Sequence, residues 1–235
     1  MNARKTTAPL LMLMFLITCC LAPSANAEEL FTEARTAMRW KVADYSRRPR
    51  LHTYHPLFLG PGIAFDFLET PDTAFLLTSH PAYDGDLLGD LTDRILIVNI
   101  DVTVTPGTEF TYYGEPDGCS EPADVRYYFE TNTSGAFEET DYWWSLGSPE
   151  LDFLNGPGAV LFIQPVSAPQ FWVDAEGHPG NIDAAHELAF NAAVRDVRTI
   201  GLSFGGGCQY GNGVGIQPGT GSGYFKLNAF VAQAP

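Results

Sequence analysis

The chain has 235 residues, 45% of them hydrophobic and 17% charged, which is the composition of a protein that folds around a core rather than of a disordered one. Its 28 acids against 13 Lys and Arg give a formal charge of −15. A surface of that sign lacks the clustered cations that displace counterions from phosphate, so nucleic acids and anionic lipid headgroups are excluded as partners.

Residues 1–27 read as a secretory signal peptide: Arg4 and Lys5, an apolar stretch Leu10 to Leu21, then Ala25-Asn26-Ala27 as a cleavage site. The apolar stretch is shorter than the roughly 20 residues that span a bilayer. Leu16-Ile17-Thr18-Cys19 also resembles a lipobox, although Thr18 fits it poorly. Cleavage after Ala27 would remove two of the 13 basic residues and no acid, leaving a formal charge of −17 and no transmembrane segment in the mature chain. The expectation is a freely secreted, extracellular protein. It would have one β-sandwich domain over residues 28–235, with 28–60 as an N-terminal lead-in. Cys119 and Cys208 are the two cysteines that remain, and in an oxidising compartment their natural reading is a disulfide. Such a bridge closes roughly 90 residues and contributes about 4 kcal/mol in the chain-entropy model. Two free buried thiols are the alternative.

In chain order, Glu29 to Asp44 is a weak helix candidate. Asp84, Asp86, Asp90 and Asp93 crowd one loop, and calcium takes six to eight oxygen ligands from such loops. EF-hand spacing is absent, so a structural calcium is weighed against a merely solvated acidic loop, and no other cofactor is expected. Arg94 to Thr105 alternates, with Leu96, Val98, Ile100, Val102 and Val104 on one face, as a strand with one buried face does. Asp124 to Thr131 repeats the pattern, with Val125, Tyr127 and Phe129 opposite Arg126, Tyr128 and Glu130. The short apolar run Ala159 to Pro165 reads as a central strand, and Asp183 to Arg195 as a helix with Phe190, Val194, Leu188 and Ala192 toward a sheet. After the strand-like Val197 to Phe204 comes a glycine-dense loop, Gly205 to Gly223. The closing run then puts Phe225, Leu227, Ala229 and Val231 inward. Short strands, regular turns and one crossing helix predict an all-β fold: a two-sheet antiparallel β-sandwich, jelly-roll-like, with one short helix packed on it.

Several strings carry a family resemblance: Leu87 to Val102, Glu109 to Thr131, Asp141 to Ser145, Ala189 to Gly215 and Gly223 to Val231. Together they resemble the extracellular domains of bacterial proteins of the PEP-CTERM type and their unanchored relatives, which look like galactose-binding-type jelly rolls. The resemblance covers roughly Phe75 to Val231. It implies that fold and an exported location, and it brings no catalytic residues with it. The sequence departs from the pattern at Gln233-Ala234-Pro235, where no Pro-Glu-Pro sorting motif stands.

The motifs that could carry chemistry are mostly unconvincing. Gly201-Leu202-Ser203-Phe204-Gly205 has the G-x-S-x-G form of a nucleophile elbow, but glycines follow where a helix is required. Gly211, Gly213 and Gly215 lack phosphate-loop spacing and suit tight turns better. His52 and His55 are three apart, and His80, His178 and His186 lack paired ligand spacing, so zinc is not expected. Tyr142-Trp143-Trp144 is the best binding candidate, because indole faces stack on sugar C–H faces while the nearby Glu139 and Asp141 accept hydroxyls. Trp172 with Asp174 can approach the same place. Trp143 and Trp144 must face opposite sides of a strand, so core packing of both, one per side, is the plainer alternative. The reading is a secreted module without catalysis that recognises carbohydrate or exopolysaccharide, with a purely structural matrix protein or a polysaccharide-cleaving enzyme as alternatives.

Overall fold

The computed structural model describes residues 27–47, 50–81, 87–114, 122–131, 137–155, 160–207 and 210–234. Residues 1–26, Cys119, Cys208, Asp84 and Asp86 lie outside the described residues, so the expected signal peptide (but for Ala27), the expected disulfide and half of the acidic loop do too.

The first strands are β1 (Ala27–Leu30), β2 (Trp40–Arg47), β3 (Arg50–Tyr54), β4 (Leu57–Phe58) and β5 (Ile63–Asp66). Next come β6 (Thr73–Thr78), β7 (Ile95–Val104), β8 (Phe110–Tyr112), β9 (Asp124–Glu130) and β10 (Tyr142–Ser145). The last are β11 (Val160–Pro165), β12 (Trp172–Val173), β13 (Thr199–Gly205), β14 (Val214–Ile216) and β15 (Gly223–Gln233). One sheet runs β11-β7-β15-β5-β4, with β1 also on β15. The other runs β12-β10-β9-β13-β6-β14-β8, with β2 on β6 and β3 on β2. Every strand pair is antiparallel, and the chain is an all-β sandwich. Helices α1 (Ala34–Ala37) and α2 (Leu151–Leu154) are single turns; α3 (Ala184–Val194) is the longer one. No helix among the described residues is long and apolar enough to cross a membrane.

The alternating runs make the shared core. Leu96, Val98, Ile100 and Val102 of β7 face Val125, Tyr127 and Phe129 of β9 across the sandwich, all of them fully buried. Helix α3 closes one end. The Asp183 carboxylate caps it by accepting from the backbone N–H of Ala185 (2.9 Å) and His186 (2.8 Å), and Phe190, Ala193 and Val194 point inward.

Several expectations need correction. The helix candidate at Glu29 to Asp44 is mostly strand, because β1 pairs with β15 and β2 with β6, and only Ala34–Ala37 coils between them. Residues 28–60 are thus woven into both sheets rather than leading into them. The apolar run at β11 is an edge strand, paired among the described residues only with β7. Leu188 and Ala192 lie on the solvent side of α3. In β15 a bulge between Leu227 and Ala229 shifts the register. An extra residue flips every side chain beyond it, so Phe230 and Ala232 are buried in place of Ala229 and Val231. Asn228, at the bulge, donates through Nδ2 to Asn99 Oδ1 (3.1 Å) and Asp101 Oδ2 (2.9 Å).

At the β2–β3 edge, burial and then the carboxylates of Asp44 and Asp66 push the Tyr54 hydroxyl up to about 12. Between pH 10 and 12 the folded chain therefore keeps a proton that the unfolded chain loses, so stability must fall as pH rises through that window. The Tm measured from pH 9 to 12 is expected to fall less steeply for Tyr54→Phe than for the parent. Equal slopes would contradict this.

Candidate functional site

The larger sheet buries side chains on both faces. In β9, Val125, Tyr127 and Phe129 point into the sandwich, while Arg126 and Tyr128 on the opposite face are also buried. A second apolar cluster covers that outer face, built on Ala43, Ala74, Phe75, Tyr128, Trp144 and Val173, with Tyr142 and Tyr210 packed against it. Its rings form a ladder: Phe75 to Tyr128 (4.9 Å), Tyr128 to Trp144 (5.0 Å) and Trp144 to Tyr210, stacked at 6.1 Å.

Tyr210 belongs to the glycine-dense loop, which folds back over this face. Gly211 has φ +62°, and a Cβ there would come within 2.7 Å of the Phe75 ring. Glycine is what lets the loop lie this close. Ser203, the serine of the G-x-S-x-G string, stands in the middle of β13 and accepts from Trp144 Nε1 (3.0 Å).

The loop leaves a cleft of about 330 Å³ at the end of the ladder, lined by Pro122, Asp124, Arg126, Leu146, Ser148, Glu150 and Tyr210. The Arg126 guanidinium donates to the Asp124 carboxylate and to the carbonyls of Ser145 (3.2 Å) and Leu146 (3.0 Å), and it lies 4.8 Å from the Tyr210 ring centroid. Both ionised side chains are buried. An arginine held this way cannot swing, so the guanidinium and the facing carboxylates form a fixed polar wall beside an aromatic one.

The residues expected to bind from sequence alone are distributed differently. Trp143 and Trp144 do face opposite ways. Trp143 is fully buried in the sandwich core, edge-on to Phe190 (4.9 Å), with Nε1 donating to the Thr140 carbonyl (2.8 Å). Trp172 is equally buried, against Phe129, and donates to the Pro165 carbonyl (3.0 Å). Neither ring is presented to a ligand, a correction that follows from both standing on the inner face. Trp144 is 7% exposed beneath Tyr210. Tyr142 is half-buried and stacks on the exposed Phe137 at 5.3 Å. Asp141 accepts from Thr131 Oγ1 (3.2 Å), and Asp90 caps its own turn by accepting from the Thr92 N–H (2.9 Å). Asp93 has φ 60°.

Glu139 instead meets Asp174, His178 and His186. One donor atom from each lies within 4.8 Å of the others. Asp174 follows β12 in a tight turn closed by its own N–H on the His178 carbonyl (3.0 Å). Its wholly buried carboxylate accepts at Oδ1 from the N–H groups of Glu176 (2.9 Å) and His178 (2.8 Å). Oδ2 lies 3.4 Å from His178 Nδ1 and 3.6 Å from His186 Nε2. These separations would suit ion pairs if the imidazoles were charged. The His186 separation is too long for a hydrogen bond and the His178 one is misaligned, and all three atoms are buried without a hydrogen-bond partner among the described residues. His186 Nδ1 lies 2.9 Å from Asp183 Oδ1. That contact raises the His186 pKa, while loss of solvent and then Glu176 raise that of Glu139. These histidines carry no ligand spacing in the sequence, because such spacings mark sites built on one helix or one knuckle. Here the residues come from a 3-10 turn (Glu139–Asp141), the turn after β12, and α3. The adjacency of Asp174 to His178 was the one available signal.

No family model matches the chain, and no curated protein does. A solved structure aligns over 93% of this chain and 96% of its own, at 9% identity and a TM-score of 0.40. It comes from a description of endo-acting O-glycanases with which prominent members of the human gut microbiota initiate mucin breakdown. Likeness at that level decides neither fold nor function.

Proposed function

We propose that this chain is an exported, non-catalytic module of the kind found in PEP-CTERM-type proteins, and that it binds carbohydrate in the cleft between Arg126, Glu150 and Tyr210. The observation that carries the reading is the immobilised Asp124–Arg126 pair beside the Tyr210 ring. Together they give a sugar-sized cleft both a fixed set of hydrogen-bonding groups and an aromatic wall. Small-ligand sites combine an apolar surface with a few polar groups in fixed positions in this way. The Asp124 charge balances that of Arg126, which leaves Glu150 as the net charge of the lining. With a chain carrying −15 overall, this favours neutral sugars over sulfated or uronic ones.

The test is a screen of the chain on soluble glycans and insoluble polysaccharides, with and without calcium. Binding of a neutral glycan is expected, weakened about 2–10-fold in Tyr210→Ala by loss of one aromatic contact and unchanged in Leu188→Ala, an exposed site on α3 that contributes nothing to the cleft lining. Binding that ignores Tyr210, or no binding on any panel, would move the reading to a structural matrix role. Reducing-sugar release would move it to an enzyme.

A further inference from the structure

We propose that Glu139, Asp174, His178 and His186 form a four-ligand zinc site that pins helix α3 to the edge of the larger sheet. The cluster lies apart from the Arg126 cleft, and the inference does not depend on carbohydrate binding.

The Asp183 carboxylate accepts three bonds at one end of α3, from two backbone N–H groups and from His186 Nδ1. Placing the imidazole proton on Nδ1 leaves His186 Nε2 as a lone pair, and it faces Asp174 Oδ2, another lone pair, at 3.6 Å. His178 Nδ1 faces the same oxygen at 3.4 Å, and its half-exposed ring can carry its proton on the solvent side. A buried acceptor without a donor is costly, and here three converge on one point. The Asp174 carboxylate is fully buried and cannot turn to water, because its Oδ1 is held by two backbone N–H groups. A cation between these atoms satisfies all of them at once.

The donor set selects the ion. Two imidazole nitrogens and two carboxylates suit zinc, whereas calcium and magnesium take oxygen shells. Zinc binds N and O ligands at about 2.0–2.2 Å in a tetrahedron, which places the ligand atoms about 3.3–3.6 Å apart. The two separations from Asp174 Oδ2 fall there, and Glu139 completes the set within 4.8 Å. The Asp183–His186 contact is the outer carboxylate that orients a zinc-bound histidine and raises its basicity. Four protein ligands describe a closed, structural site. They come from the 3-10 turn before β10, the turn after β12 and the first turns of α3, so one ion ties three segments together.

The experiment strips the tag-free full chain with chelator and titrates it with Zn2+ by calorimetry. The Tm is read in parallel, and Co2+ serves as a spectroscopic probe. One Zn2+ per chain, a tetrahedral Co2+ spectrum, and a Tm rise of roughly 5–10 °C at a hundredfold excess over Kd are expected. Asp183→Asn keeps the helix cap but loses the charge behind His186, and should weaken Zn2+ binding about 10–100-fold. His178→Ala removes a half-exposed ligand with little packing and should weaken it at least as much. No uptake of Zn2+ with an unmoved Tm would overturn the proposal, as would His178→Ala binding like the parent. A Tm insensitive to Zn2+ that instead falls as pH rises through the histidine range would mark Asp174 as the centre of an imidazolium ion pair.

Discussion

Trp143→Ala is expected to lower stability by about 3–5 kcal/mol, the usual cost of truncating a fully buried aromatic side chain. For a chain of this size that is a Tm fall of roughly 6–20 °C. The ring is wholly buried, meets Phe190 of α3 edge-on at 4.9 Å and donates to the Thr140 carbonyl. Its loss leaves a cavity at the junction of β10, β9 and α3 and strands the Thr140 acceptor. The surrounding strands are paired on both sides and cannot collapse into the space. Urea unfolding followed by near-UV circular dichroism measures the effect. A change under 1 kcal/mol would show that the ring is not part of the core.

Arg126→Met should destabilise the chain by a similar amount, about 3–5 kcal/mol, for a different reason. Removing the guanidinium leaves the Asp124 carboxylate buried without its opposing charge, and an uncompensated buried charge costs far more than the pair contributes when intact. The carbonyls of Ser145 and Leu146 lose a donor as well. Pairing the change with Asp124→Asn removes the stranded charge and should recover a good part of the loss. If the double variant is no more stable than the single one, the buried charge is not the origin of the effect. Glycan binding should be lost in both variants, since both dismantle the polar wall of the cleft.

The strands were legible because a period of two survives wherever one face packs and the other does not. That is why β7 and β9 stand where alternation puts them, and why Trp143 and Trp144 separate onto opposite faces. Alternation says nothing about what covers the second face. Arg126 and Trp144 are covered by Tyr210, from a loop more than sixty residues further along that folds back over them. A bulge is equally silent in composition. Asn228 looks like any polar residue of an alternating run, yet the register shift beside it exchanges Ala229 and Val231 for Phe230 and Ala232 in the core. The histidine cluster was hidden for a topological reason. His178 and His186 are eight apart with a proline, a glycine and a helix cap between them, and only the folded turn after β12 brings Asp174 between the two rings.

The most direct test of the account is an NMR titration of the isotope-labelled chain with a neutral oligosaccharide that binds in the glycan screen. Amide shifts concentrated at Leu146, Ser148, Glu150, Arg126 and Tyr210 are predicted, saturating with one sugar per chain. Shifts concentrated elsewhere, such as around Phe137 and Tyr142, or no saturable shift with any neutral glycan, would contradict the assignment of the Arg126 cleft as a carbohydrate site.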